Sequence, residues 1–283
     1  MSDRRSAALV VRRHQLPAFF VLTFAISWTL WLGLAAAALP ITTTTGAVLN
    51  VVAIAGPSIA AVLLTIGLGQ GQLRELLTGF YLSRLVPRWS AVALGLPLAM
   101  MAIAIAASAA FLGAPRPHLT VGVMGVLLVE FVRILFLGGP LGEELGWRGF
   151  ALPRLQQHRT ALTSSVLLGL VWGLWHIPLY FVPGTGQHQI LRTGTGPAFA
   201  IGGFVGWTIG LSVLFTWLFN QTRGSLIVVI LFHAAVNLAA FLPAAIGSTG
   251  AASLLYVLLT WIVAIMVVVR IGRTRLASAL RRA

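Results

Sequence analysis

Apolar residues run along this chain in long blocks, with polar and charged residues gathered between the blocks rather than recurring every third or fourth position as on a water-facing helix. The blocks cover 17–39, 47–68, 89–112, 121–139, 163–182, 199–219, 225–243 and 251–269. Each is close to the roughly 20 residues that a helix needs to cross a hydrocarbon core of about 30 Å. The pattern predicts an all-α polytopic membrane protein with about eight transmembrane helices. It leaves little chain for anything else, so 1–283 reads as a single integral membrane domain ending in a basic tail, 270–283. Gly56-Pro57 falls inside the second block and predicts a kink or a close helix contact.

Composition agrees: 58% of the 283 residues are hydrophobic, 8% are charged and the mean hydropathy is +0.96, whereas a soluble domain is about a quarter charged. The formal charge of +14 comes from 19 basic residues, all arginine, against five acids. In a soluble chain that balance points to nucleic acid. Here the placement of the arginines supplies another reason. If the N-terminus is cytoplasmic, Arg4, Arg5, Arg12, Arg13, Arg74, Arg84, Arg88, Arg154, Arg159, Arg223, Arg270, Arg273, Arg275, Arg281 and Arg282 all fall on the cytoplasmic side. The opposite loops hold only Arg116 and Arg192. The positive-inside rule therefore places both termini in the cytoplasm and removes the need for a nucleic-acid partner. The lysine-free, Arg- and Ala-rich composition suggests a high-GC bacterium, hence its inner membrane. The first block is longer than the roughly 7–15 residues of a signal-peptide core, so it reads as an uncleaved anchor. The basic tail reads as a solvated positive-inside segment, with contact to anionic headgroups as the alternative.

The chain has no cysteine, which excludes disulfides, thiolate metal sites and a cysteine nucleophile. Asp3 is the sole aspartate, so a two-aspartate intramembrane protease is excluded too. There is no His-Glu-x-x-His for a zinc protease and no Gly-x-Ser-Gly of the rhomboid kind.

Ionisable residues inside a span cost about 2.5–3.5 kcal/mol each on insertion scales, so those present are functional candidates. Around the fourth block they are Glu130, Arg133, Glu143, Glu144 and Arg148. The fifth carries His176, and the seventh carries His233 with Asn237. Adjacent carboxylates at 143 and 144 repel each other unless one has a partner. On a helix Glu144 and Arg148 share a face and can pair, while Glu143 is turned about a quarter of the way round and is free to take a proton from water. The plainer reading is that both acids cap or anchor a helix end. Trp172 and His176 share a face of the fifth helix, and Pro178 loosens the backbone just beyond. His233 and Asn237 are likewise one turn apart, separated by alanines that allow another helix close. Two aligned donors can stabilise an oxyanion or simply bridge helices. Polar groups on three helices of so apolar a chain favour one convergent site.

The series Glu143-Glu144-x-x-x-Arg148, then an aromatic-x-x-x-His176, then His233-x-x-x-Asn237 resembles the CPBP family of intramembrane proteases, also called the CAAX protease and bacteriocin-processing or Abi family. The resemblance covers about 137–242. It departs at Trp172, where the family usually has Phe. It implies a metal-independent glutamic endopeptidase, with no cofactor, in which Glu143 activates water with help from His176. His233 and Asn237 would form the oxyanion hole, and Glu144, Arg148 and Trp172 would support the site. Eukaryotic relatives of that family cleave prenylated CAAX proteins, but the bacterial composition argues against such substrates here, so the expected substrate is a membrane-associated peptide or protein tail presented at the cytoplasmic face.

Three other readings stay open at this stage. The first is a metalloprotease using Glu143, His176 and His233 as ligands. The second is a non-catalytic immunity or scaffold protein of the same fold. The third is a transporter with Glu130 and Arg133 as a relay, although two residues three apart more simply form an ion pair. One geometric tension stands out. His176 lies roughly 20 Å deep along its helix at 1.5 Å per residue, yet a span ending near 139 would leave Glu143 at the cytoplasmic surface.

Overall fold

In the computed structural model, residues 14–81, 85–115, 120–192, 194, 196–248 and 250–272 are described. Most of the predicted basic tail lies outside them, as do Arg4, Arg5, Arg12, Arg13, Arg84 and Arg116. Helices joined by short turns make up the described residues, with no strand among them. Seven of these helices are long and apolar enough to cross a membrane, and a bent pair brings the number to eight if it forms one span. The expected all-α, roughly eight-span architecture is the one observed.

Helix α1 (Gln15–Ala36) turns one stripe inward, Phe19, Thr23, Ser27, Trp31 and Leu34, at helical spacing. Next come α2 (Thr44–Ile54) and α3 (Gly56–Leu68), which meet at a 48° bend at Ala55. Pro57 causes the bend, because it has no N–H for the Ala53 carbonyl four residues earlier. That carbonyl accepts instead from Ser27 Oγ at 2.7 Å. A β-carbon at Gly56 would run into the same hydroxyl, so α1 and the bend can touch only where that residue is glycine.

Short α4 (Gln70–Leu77) leads to α5 (Pro87–Phe111), which packs against α12 and α13, defined below. Helix α6 (Val121–Leu137) is peripheral: only Ile134 is buried, and Leu128, Val129 and Phe136 are more than half exposed, as suits a lipid-facing helix.

At Gly138-Gly139 the chain does not leave the protein. Gly139 adopts φ +119°, a conformation that favours glycine, and Pro140 begins the new helix α7 (Pro140–Glu144). A π-helical segment (Leu145–Ala151) and α8 (Leu152–Gln156) follow. The fourth span therefore continues past 139, and Val121–Gln156 forms one broken 36-residue run. Glycines allow the inner half to lie deep: Gly142 sits against Ala55 and Ile54, and Gly146 against the backbone of Pro57. This correction removes the tension in depth, because Glu143 lies within the bundle instead of at its edge.

Helix α9 (Ala161–Trp175) crosses α11 (Pro197–Gln221) closely through Gly169 and Gly173, which face Ile209, Thr208 and Val205. Between them lie a 3-10 turn (Ile177–Phe181) and α10 (Gly186–Arg192). Helices α12 (Leu226–Ala245) and α13 (Gly250–Ile271) complete the bundle. The Ser225 hydroxyl caps α12 by accepting from the Val228 N–H at 3.3 Å.

Candidate active site

The convergence expected from the sequence is present. Glu143 and Glu144 come from α7, Trp172 and His176 from the end of α9, and His233 and Asn237 from α12. Glu143, Trp172, His176, His233 and Asn237 all line one cavity of about 370 Å³.

The two carboxylates divide as the spacing predicts. Glu144 Oε1 accepts from Arg148 Nη1 at 2.8 Å, and neither side chain is exposed to solvent. The π-helical turn keeps this i, i+4 pair together while enlarging the helix, a distortion often found at functional sites. The Arg148 guanidinium also lies 3.9 Å from the Phe215 ring centroid and 4.7 Å from that of Trp172. Aromatic faces thus serve where water is excluded. A second partner of Glu144 was not evident from sequence: His233 Nδ1 donates to Oε1 at 2.7 Å. Eighty-nine positions separate these two residues, and only the packing of α12 against α7 joins them.

Glu143, 4% exposed, stays outside that ion pair. Its Oε2 accepts from the indole N–H of Trp172 at 2.7 Å. The tryptophan that departs from the resembled motif therefore has a chemical content, since a Phe there would have no N–H to donate. The sequence signal was that tryptophan is apolar with one donor, and a buried donor needs an acceptor.

His176 is the residue at which α9 ends. With Pro178 starting a tighter turn, the backbone N–H of His176 bonds Gly173 at 3.2 Å, and its ring Nδ1 donates to the Trp172 carbonyl at 2.7 Å. The ring is oriented by its own helix, and the Nδ1–H bond makes Nε2 the acceptor nitrogen of the neutral ring. Trp175 and Phe204 pack edge-on against it. Asn237 Nδ2 donates to the Gly138 carbonyl at 3.1 Å, holding the break between α6 and α7 against α12. The helix-bridging reading of Asn237 is thus realised, and one N–H of its amide is additional to that bond.

Glu130 and Arg133 form the expected i, i+3 ion pair, with Arg133 Nε donating to Glu130 Oε2 at 2.8 Å. Both line the same cavity. Among the described residues, no three His, Asp or Glu side chains gather closely enough to hold a metal ion, so Glu143, His176 and His233 do not form such a ligand set.

Taken together, fold and site define a polytopic helical membrane protein with a buried carboxylate, histidine and amide cluster assembled from three spans. Residues 125–239 match the family described as type II CAAX prenyl endopeptidase Rce1-like. The chain is also 35% identical over 111 residues to CAAX prenyl protease 2 of Methanococcus maripaludis, a stretch that covers 38% of this chain and 40% of that relative. The segment carrying the site is thus similar to CAAX prenyl endopeptidases, in line with the resemblance that its motifs carry. The chain spans about two fifths of the length of the curated relative that it matches.

Proposed function

We propose that this chain is an intramembrane glutamic endopeptidase that cleaves membrane-associated peptides or protein tails. The observation that carries the reading is the division of the adjacent carboxylates: Glu144 is taken by Arg148 and His233, while Glu143 lines the cavity and accepts from the indole N–H of Trp172.

In this reaction Glu143 removes a proton from a water as the water oxygen bonds to the scissile carbonyl carbon. His176 Nε2 accepts from the same water and aims it. The π electrons of the carbonyl move onto its oxygen, which the second N–H of Asn237 and the His233 ring together stabilise. Collapse of the tetrahedral intermediate breaks the C–N bond, and the proton held by Glu143 passes to the leaving amine. Low local dielectric strengthens each of these interactions.

We also infer a bacterial cell-membrane location with both termini cytoplasmic. The support is the arginine bias, fifteen to two between the two sets of connecting segments.

The test is cleavage of a quenched, lipidated peptide library by the purified protein in lipid, comparing wild type with Glu143→Ala, each with and without chelator. Cleavage that survives chelator and is lost in Glu143→Ala is expected. Cleavage by a folded Glu143→Ala variant would overturn the role given to Glu143, and loss on chelation would overturn the metal-independent mechanism.

A further inference from the structure

The bundle has two chemically different ends, and the cavity belongs to one of them. At the first end α1 begins, α3 gives way to α4, α8 gives way to α9, α11 gives way to α12, and α13 finishes. Direct contacts tie this end together: Arg154 Nε donates to Gln15 Oε1 at 2.7 Å, and the Asn220 amide donates to Gln156 Oε1 at 3.2 Å. Arg74, Arg88, Arg154, Arg159, Arg223 and Arg270 all lie here. At the second end the connections after α1 and after the 3-10 turn meet, the Ile41 N–H donating to the Pro183 carbonyl at 3.1 Å.

The cavity wall is drawn from the second end and the middle of the bundle. Ile41, Thr185 and Gln187 come from its connections, Phe204 from the first turns of α11, and Ala240 from the last turns of α12. Among the described residues, no connecting segment of the arginine-rich end contributes to it. Depth agrees. At 1.5 Å per residue, His176 stands about 22 Å from the start of α9, and Asn237 about 16 Å from the start of α12. Those helix starts are at the arginine-rich end, so a peptide approaching from there would meet a packed bundle before it met the site.

We propose that the site is served from the membrane face opposite its arginine-rich end. By the positive-inside rule that is the extracytoplasmic face, so the substrate class is a peptide segment exposed on, or anchored in, the outer leaflet. This rests on the orientation inferred above and reverses the cytoplasmic-face presentation expected from sequence. The Glu130–Arg133 pair on peripheral α6 then faces the incoming chain from the cavity wall.

The cysteine-free chain permits a clean test. Gln187→Cys at the rim, Ala240→Cys in the wall and Arg159→Cys at the opposite end are made singly and treated with a membrane-impermeant charged maleimide. Right-side-out spheroplasts are compared with inside-out vesicles, and detergent-solubilised protein verifies that each thiol can react. The expected result is that Gln187→Cys and Ala240→Cys label at least about tenfold faster from outside, and Arg159→Cys from inside, since the charged reagent cannot cross the bilayer. The proposal is overturned if Ala240→Cys labels only in inside-out vesicles or from neither side, or if Arg159→Cys labels from outside. Labelling requires no turnover. A chain that labels as expected but cleaves no peptide counts against the peptidase reading and leaves the direction of access standing.

Discussion

Replacing Arg148 with methionine keeps an unbranched side chain of similar reach against Phe215 and Trp172 but removes the guanidinium that faces Glu144. The consequence follows from burial. Both partners have zero side-chain exposure, so Glu144 would keep its charge or its proton without water. Breaking a buried pair by removing one partner costs about 3–5 kcal/mol, far more than the pair contributes net. His233 still donates to Glu144 in the variant, which argues for the lower part of that range. The double variant Glu144→Gln/Arg148→Met removes both charges and should recover most of the loss, a coupling of about 1–3 kcal/mol between residues in direct contact. Equilibrium unfolding in mixed micelles, followed by the fluorescence of the nine tryptophans, gives both numbers. A single variant costing under about 1 kcal/mol, or a double variant no more stable than the single one, would refute the argument that the pair is desolvated and mutually dependent.

Other expected outcomes concern the site and its frame. Trp172→Phe removes the donor to Glu143 and trims a buried ring while keeping it aromatic, and a hydrogen bond to a charged group is worth about 1.5–3 kcal/mol. Single-turnover cleavage should slow roughly ten- to hundredfold, more than the modest loss of stability from the smaller ring accounts for, and an unaltered rate would remove Trp172 from any positioning role. Asn237→Ala should lower kcat about 10²–10³-fold with a smaller change in KM, as loss of an oxyanion donor does; a pure KM effect would speak for substrate binding instead. Gly146→Ala drives a methyl into the Pro57 backbone and should destabilise by about 1–3 kcal/mol. Gly125→Ala on exposed α6 meets nothing within 4 Å and should be neutral or slightly stabilising in the same unfolding assay.

Local chemistry made much of this protein legible from sequence. A block of about 20 apolar residues has few other stable fates in a membrane, so the number of crossings followed from hydropathy alone. The Pro57 bend and the Glu144–Arg148 pair were equally readable, since one is a missing N–H and the other is helical geometry. The motif residues that meet around the cavity could be picked out because charges are rare enough in this chain to stand out.

Long-range packing decided the rest. That His233 bonds Glu144, and Asn237 the Gly138 carbonyl, depends on how α12 lies against α7, over separations that no period encodes. The end of span four was misplaced at 139 because Gly-Gly-Pro reads as a terminus. In the structure Gly142 and Gly146 let the chain continue inward against the bend at 54–57, where partners make the buried acids tolerable. Which connecting segments wall the cavity was likewise out of reach of sequence. Hydropathy orders the crossings along the chain, but the meeting of their connections around the cavity depends on packing in three dimensions.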